Sequence, residues 1–397
     1  MKRWLGAGVS GLTDSRRAAA DASRVAVNGR GAGLLLVSAG ADRDPVQLAA
    51  GVGDVAPGVP IIGGSVGGAI CQDGSTTGQV LVVALGGAGF TVATGCAEVS
   101  AVGLGRAGEL AAGCLSAIDD RPHQVLLLLT DATTGDQQEI LRGAYRSAGA
   151  GVPLVGGACP APPKGGSPWQ LHDGRVVRGA VVAAAIDSDA PFGVGVGHGW
   201  EPVGEPMLVT ASTAAVIHEL DDESALSRYL QRLSTIPVPR DAPRLAAGVW
   251  DEAAFVKAAA THPLGLRRRS GALIRSVVGA EPKGGSLVCA AEVPQGALVW
   301  LMHGTATSVL TGMDQACAQA TATVGPAAPV GLLAFDCVAR QRILTGAGPD
   351  DVQQEAARLA GHAGGSPFAG IYTGGEIART QGLGGFHNKT VVVLAVG

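Results

Sequence analysis

Apolar and polar positions along this chain follow a pattern that repeats. Leu34-Leu35-Leu36-Val37-Ser38 reads as a buried strand, followed by a helix-like stretch from Pro45 to Ala50. Val59-Pro60-Ile61-Ile62-Gly63-Gly64-Ser65 and a strand at Val80 to Leu85 complete the round. The order recurs in Val125 to Leu129, a helix near Gln137 to Ser147, Val152-Pro153-Leu154-Val155-Gly156-Gly157-Ala158, and Ala180 to Ala185. A third round runs from Gly331-Leu332-Leu333-Ala334-Phe335-Asp336-Cys337, through a polar helical segment carrying Glu355, to Ser366-Pro367-Phe368 and the strand Thr390 to Val396. Setting Pro60 on Pro367 places Gly63 on Gly370, Gly67 on Gly374, Gly68 on Gly375 and Ile70 on Ile377, the self-similarity expected of an internal repeat.

Each round also has a lead-in strand and helix. Trp4 to Val9 precedes a helix at Ser15 to Val27, and Phe90 to Gly95 precedes one at Ala107 to Ile118. For the third round the lead-in reads as Ala297 to Met302, before a helix at Ala306 to Thr323. Strand–helix–strand connections favour parallel pairing with a right-handed crossover, and closing hairpins add antiparallel strands. The expected class is α/β, with mixed sheets built from repeated strand-helix-strand-helix-hairpin units in two associated domains.

Between the second and third rounds the pattern breaks. A helix with Leu226, Tyr229, Leu230 and Leu233 at helical spacing is followed by a proline-bearing stretch from Ile236 to Pro243, read as a linker or loop. Three further strands are expected at Ala272 to Val278, Ser286 to Ala291 and Ala297 to Met302. The expected domains are 1–204, with two repeat units, and 205–397, with an insert and the third unit.

At 397 residues with 47% apolar content the chain can bury a substantial core. A net charge of −4 without a basic stripe argues against a nucleic-acid partner. The lone basic cluster, Arg267-Arg268-Arg269, is explained as well by an exposed loop as by a phosphate contact. The long uncharged runs, 73–98 and 292–314, are interrupted by glycines and read as strand pairs and strand–helix units rather than membrane spans. With no apolar leader before Asp14, a soluble cytoplasmic protein is expected. Seven cysteines show no paired spacing, so reduced thiols are expected and no metal site is.

The candidate chemistry concentrates in the third round. Arg340 could fork two hydrogen bonds onto a ligand carboxylate, and Glu376 could hold an ammonium. Position 376 aligns with Ala69 and Tyr372 with Ser65, so the repeated fold does not require either polar group. Asn388 offers a donor and an acceptor, and Gly374-Gly375 would let a ligand approach the backbone. Cys337, three residues before Arg340 at a strand end, sits where open α/β sheets gather ligands. A neighbouring guanidinium would lower its thiol pKa, and His387 is the candidate base for a thiol enzyme. The alternatives are a buried Cys337 and an Arg340 paired to Glu355 or Glu376.

These residues carry a resemblance. Gly63-Gly64-Ser65 before Asp73-Gly74, His172-Asp173-Gly174, and His198-Gly199-Trp200-Glu201-Pro202-Val203-Gly204 stand in order. Glu219-Leu220-Asp221, Arg275, Cys337-Val338-Ala339-Arg340, Tyr372-Thr373-Gly374-Gly375-Glu376-Ile377 and Asn388-Lys389-Thr390 follow. Over roughly residues 30 to 397 the chain resembles FIST proteins, built of an N-terminal and a C-terminal FIST domain. The resemblance implies sensing of a small molecule in signal transduction, with amino acids a proposed ligand class and no established reaction. The residues themselves place the expected ligand site at Cys337, Arg340, Tyr372, Gly374, Gly375, Glu376 and Asn388, without catalytic residues, and any output would pass through a separate signalling protein or a conformational change. No cofactor is expected. Some family members are haem-based gas sensors, which makes His198, with Trp200 beside it, the alternative haem ligand.

Overall fold

The computed structural model describes residues 2–72, 74–119, 121–162, 165–236, 250–268, 271–326, 328–379 and 385–397. Asp73, Arg269 and the proline-bearing stretch from Pro237 to Pro243 lie outside the described residues.

The repeated pattern folds as three copies of one motif. In the first, β1 (Trp4–Ser10), α1 (Ser15–Val27), β2 (Ala32–Ala39), α2 (Pro45–Gly53) and β3 (Ile61–Ser65) lead to a hairpin and a closing strand. The hairpin is β4 (Ala69–Cys71) with β5 (Gly74–Thr76), and the closing strand is β6 (Val80–Gly86). Asp14 and Asp44 begin the two helices because their carboxylates accept from the free first-turn amides of Arg17, and of Val46 and Gln47. The second copy runs through β7 (Phe90–Glu98), α3 (Val99–Val102), α4 (Leu104–Ala112), β8 (His123–Asp131), α5 (Gln137–Ala148) and β9 (Leu154–Cys159). Its hairpin is β10 (Gln170–His172) with β11 (Arg175–Val177), and β12 (Ala180–Ser188) closes it.

The third copy opens with β13 (Phe192–Gly197) and is then interrupted. The insertion holds β14 (Glu201–Thr213), β15 (Val216–Leu220), β16 (Glu223–Ser224), α6 (Ala225–Ser234) and α7 (Glu252–Thr261). It continues with β17 (Leu264–Arg268), β18 (Gly271–Arg275), β19 (Val277–Glu281), β20 (Ser286–Cys289) and β21 (Leu298–His303). The copy then resumes with α8 (Ala306–Val324), β22 (Gly331–Cys337), α9 (Val338–Ala347), α10 (Pro349–Ala363) and β23 (Phe368–Thr373). Its hairpin is β24 (Glu376–Arg379) with β25 (Phe386–His387), and β26 (Val391–Val396) closes it.

This corrects the expected lead-in of the third round. The strand near Ala297 to Met302 is β21, which pairs with β14 and β17 inside the insertion. The true lead-in is β13, antiparallel to β26 as β1 is to β6 and β7 to β12. An apolar run identifies a buried strand but carries no label for its sheet. Glycine marks the lead-in instead. A Cβ on Gly193, Gly195 or Gly197 would lie 1.8 to 1.9 Å from a backbone carbonyl oxygen of α8. Gly6 and Gly8 meet α1, and Gly95 meets α4, at 2.0 to 2.2 Å in the same way. The missing side chains let each helix lie directly on its strand.

Two compact units result, and the insertion separates them in sequence. The repeat unit comprises Met1–Gly197, Leu310–Phe386 and Thr390–Gly397; the inserted unit comprises His198–Val309 and His387–Lys389. In the repeat unit each copy builds a six-stranded sheet, but its outer hairpin comes from another copy. Hairpin β4–β5 joins β23, β10–β11 joins β3, and β24–β25 joins β9. The exchange closes a cycle of three, so no copy completes its sheet alone. Leu34, Ile62, Leu127, Val155, Phe335 and Ile371 meet in a shared core that all three sheets supply.

The inserted unit is an antiparallel sheet in the order β18-β17-β21-β14-β15-β20-β19, with β16 paired to β15. Its core includes Tyr229, Phe255, Leu264 and Leu301, and the Tyr229 hydroxyl donates to the His262 carbonyl at 2.7 Å. Among the described residues no helix is long and apolar enough to cross a membrane.

Candidate functional site

The strand registers locate what is peculiar to the third copy. Across the central parallel pair, Ala39 faces Ser65 in the first copy and Thr130 faces Ala158 in the second. The corresponding pair in the third is Asp336 and Tyr372. One more step brings Cys337 opposite Thr373, at the start of α9. The register position that carries small uncharged side chains twice carries a carboxylate and a phenol here, whereas the buried carboxylate of the second copy, Asp131, stands one residue further on, opposite Cys159.

Arg340, in the first turn of α9, follows Asp336 of β22 by four residues and reaches back to it across the strand–helix junction. Its Nε donates to Asp336 Oδ1 at 2.6 Å and its Nη2 to Oδ2 at 3.3 Å, a forked ion pair. The Cys337 amide also donates to Asp336 Oδ1, at 2.6 Å. Glu355, on α10, places Oε1 3.9 Å from Arg340 Nη2 and accepts the Tyr372 hydroxyl on Oε2. Asp336, Arg340, Glu355, Tyr372 and Glu376 are all fully buried, at 0% exposure. Burial of charge on this scale persists only where the groups pair and hydrogen-bond.

Glu376 occupies the next hairpin strand and is held by different groups. Its Oε2 accepts from the Thr390 amide at 3.1 Å and the Thr390 hydroxyl at 2.9 Å. Its Oε1 lies 3.1 Å from Thr373 Oγ1, which is also 3.1 Å from the Asp336 carbonyl oxygen. The Thr373 hydroxyl can share its hydrogen between the two acceptors in a three-centre bond; with a proton on Glu376 Oε1 the carboxyl would instead donate to Thr373 and leave the Thr373 hydrogen to the Asp336 carbonyl.

The electrostatics favour the second arrangement. Burial pushes the Glu376 carboxyl up to about 8, with the Thr390 bonds opposing the rise and the Asp336 charge adding to it. Glu355 is raised well above the usual carboxylate range, first by burial and then by the charge and hydrogen bond of Asp336; Arg340 and Tyr372 offset part of this. For Arg340, burial disfavours the charge, but Asp336 more than compensates and the guanidinium pKa rises.

A pH dependence follows for Glu376. A proton held more tightly in the folded state stabilises it fully below the unfolded carboxyl pKa, and this stabilisation is lost as pH rises through about 8. Between pH 6 and pH 9 the loss from this group comes to about 2–3 kcal/mol. Glu376→Gln keeps an acceptor for Thr390 and a donor for Thr373, so it should flatten that part of the melting-temperature profile. Parallel profiles for the two proteins would show that Glu376 is not protonated.

Gly374 and Gly375 serve the hairpin exchange. The Gly374 amide donates to the Ala158 carbonyl at 2.7 Å, and the Gly375 carbonyl accepts from the Ala158 amide at 2.8 Å. Gly375 has φ 156°, and a Cβ there would lie 2.2 Å from Phe386 Cζ. Asn388 falls in the inserted unit, 4% exposed, with a buried Oδ1 that has no hydrogen-bond partner. Cys337 is 5% exposed, and all seven cysteines are free thiols. The structure thus gathers Cys337, Arg340, Tyr372 and Glu376 in the repeat unit. It adds Asp336, Glu355, Thr373 and Thr390, of which the sequence singles out only Glu355 as a partner.

His198, in the inserted unit, accepts the Trp200 amide on Nδ1 at 2.9 Å, which in the neutral ring puts the proton on Nε2. The cavity that Trp200 lines measures about 300 Å³, room for one or two rings rather than a macrocycle, and His198 is not among its lining residues.

Comparison with known proteins agrees with the architecture. The family model for the FIST N domain matches residues 32–223, and that for the FIST C domain matches residues 225–379. An uncharacterized protein of Mycobacterium tuberculosis (strain CDC 1551 / Oshkosh) is 26% identical over 272 residues, 68% of this chain and 68% of its own length. An uncharacterized protein of Methanocaldococcus jannaschii is 31% identical over 104 residues, 26% of this chain and 20% of its own. One of Mycobacterium bovis is 25% identical over 240 residues, covering 60% of this chain and 59% of its own.

Proposed function

The chain belongs to the FIST family, and we propose that it is a sensory protein whose ligand is an amino acid or a similar small polar metabolite. Domains of this family are regarded as small-ligand sensory modules in signal transduction. One observation carries the finer reading: the third copy buries one guanidinium against two carboxyl groups, Asp336 and Glu355, and buries a third, Glu376, bonded to Thr373 and Thr390. The other two copies fill the Asp336–Tyr372 position with Ala39–Ser65 and Thr130–Ala158. The fold is complete without these charges, which are costly to bury, and perturbed, clustered ionisable groups mark functional sites.

The charge balance suggests the ligand. Arg340 suits a carboxylate, which would take the place of Asp336 on the guanidinium. The excess carboxyl groups, held neutral by protons in the unliganded state, suit an ammonium. An α-amino acid carries both. Arg340 and Glu355 ride on α9 and α10 while Asp336, Tyr372 and Glu376 ride on strands, so entry requires the two helices to part from the sheet. Such an opening would transmit binding to a separate output protein.

Thermal-shift screening against α-amino acids and organic acids tests the ligand class, because ligand binding raises stability by mass action. Calorimetry of a hit in buffers of different ionisation enthalpy should show proton release as the ammonium replaces carboxyl protons. Tyr372→Phe, Glu376→Gln and Arg340→Lys should each weaken it. A hit bound equally by all three variants would place the site elsewhere. The absence of any hit would reject the ligand class.

A further inference from the structure

The inserted unit holds the cavity of about 300 Å³, and its lining follows from strand register. Pro202 faces Met302 across β14–β21, Gly265 faces Trp300 across β17–β21, and Arg267 faces Ala272 across β17–β18. These positions alternate with Leu264, Leu266, Val299 and Leu301, which belong to the unit's core. The cavity therefore lies on the sheet face turned away from that core. An antiparallel sheet ordinarily places polar side chains on such a face. Here the residues are Pro202, Met302, Trp300, Gly265 and Ala272, with Arg267 the one ionised group among the described lining residues.

The walls are fixed. Trp200 is 3% exposed, and its indole N–H donates to the Lys389 carbonyl at 2.7 Å. The Lys389 ammonium lies 5.5 Å from the indole centroid, a cation–π contact, and donates to the Ala260 carbonyl at 2.5 Å. At Gly265 a Cβ would meet the Met302 sulfur at 2.5 Å, so the thioether lies across a position that has no side chain. Arg267 is exposed at the mouth, and no carboxylate among the described residues pairs with it.

We infer that this cavity is a second small-molecule site, one that takes a flat aromatic carboxylate of one or two rings. Indole and thioether surfaces favour a ring by stacking and sulfur–aromatic contact. An exposed guanidinium that no described carboxylate pairs with favours a carboxylate on that ring. The volume, at the lower end for ligand cavities, sets the size. The inference is independent of the buried cluster in the repeat unit and concerns a different ligand chemistry.

Isothermal calorimetry on the full chain, with benzoate and 2-naphthoate as probes, tests it. Saturable single-site binding is expected, weakened at least fivefold by Arg267→Gln and at least tenfold by Trp300→Leu. The neutral 2-naphthalenemethanol should bind the wild type no better than 2-naphthoate binds Arg267→Gln. Tyr372→Phe should leave 2-naphthoate binding unchanged, separating this site from the cluster. No saturable binding of either carboxylate, or equal binding by the Arg267 and Trp300 variants, would overturn the inference.

Discussion

Gly195→Val will cost the repeat unit more than about 4 kcal/mol, beyond the range of ordinary point substitutions. The atoms in the way decide this. A Cβ at Gly195 would lie 1.9 Å from the Ala316 carbonyl oxygen and 2.8 Å from the Ala320 amide nitrogen. Both are helix backbone, so no side chain can swing aside. The helix must lift from β13 along its length, opening a gap that neighbouring residues cannot fill. Gly193 and Gly197 make the same contact one pleat away, so relief at one position strains the others. Gly346→Ala is the control: nothing lies within 4 Å of a Cβ there, and alanine favours the α9 helix by up to about 1 kcal/mol. Denaturant unfolding of the two variants measures the contrast. A Gly195→Val protein within about 1 kcal/mol of wild type, inside the usual spread of surface substitutions, would mean that α8 does not rest on β13 as described.

The same glycines show what the sequence could and could not disclose. Helix limits were legible where caps mark them: the spacing predicts Ser15 to Val27, and Asp14 starts that helix. The repeat was legible because Pro60, Pro153 and Pro367 precede strands of equal register. The lead-in of the third copy was not, because the insertion from His198 to Val309 separates β13 from the rest of its copy and supplies an apolar strand of its own. Glycine at every second position, facing an alanine-rich helix, was the available signal. The exchange of hairpins among copies left no such trace, since apolar alternation sets which face is buried but not which strand lies beside it. At the site, Tyr372 and Glu376 stood out against Ser65 and Ala69, their counterparts in the first copy. Asp336 was hidden by its apolar neighbours in β22, because the ion pair crosses from that strand to α9 and follows neither period.

Arg340→Met will destabilise the protein by about 3–5 kcal/mol, the usual cost of removing one partner from a buried ion pair. The loss is mostly the penalty on what remains. Asp336, at 0% exposure, would keep the Cys337 amide as a donor but lose both guanidinium contacts. Glu355, also fully buried, would lose its nearby positive charge. The repeated fold itself indicates the remedy, because Thr130 occupies the Asp336 position in the second copy. Arg340→Met combined with Asp336→Thr should therefore recover most of the stability, since replacing a whole buried pair with uncharged groups is often neutral. Denaturant unfolding of the wild type, both single variants and the double variant closes a cycle whose coupling should reach about 2–3 kcal/mol, the upper range for contacting residues. A double variant as unstable as Arg340→Met would show that groups other than Asp336 hold the guanidinium. A stable double variant that no longer responds to amino acids would be more informative still, because it would separate the cluster's part in sensing from its part in folding.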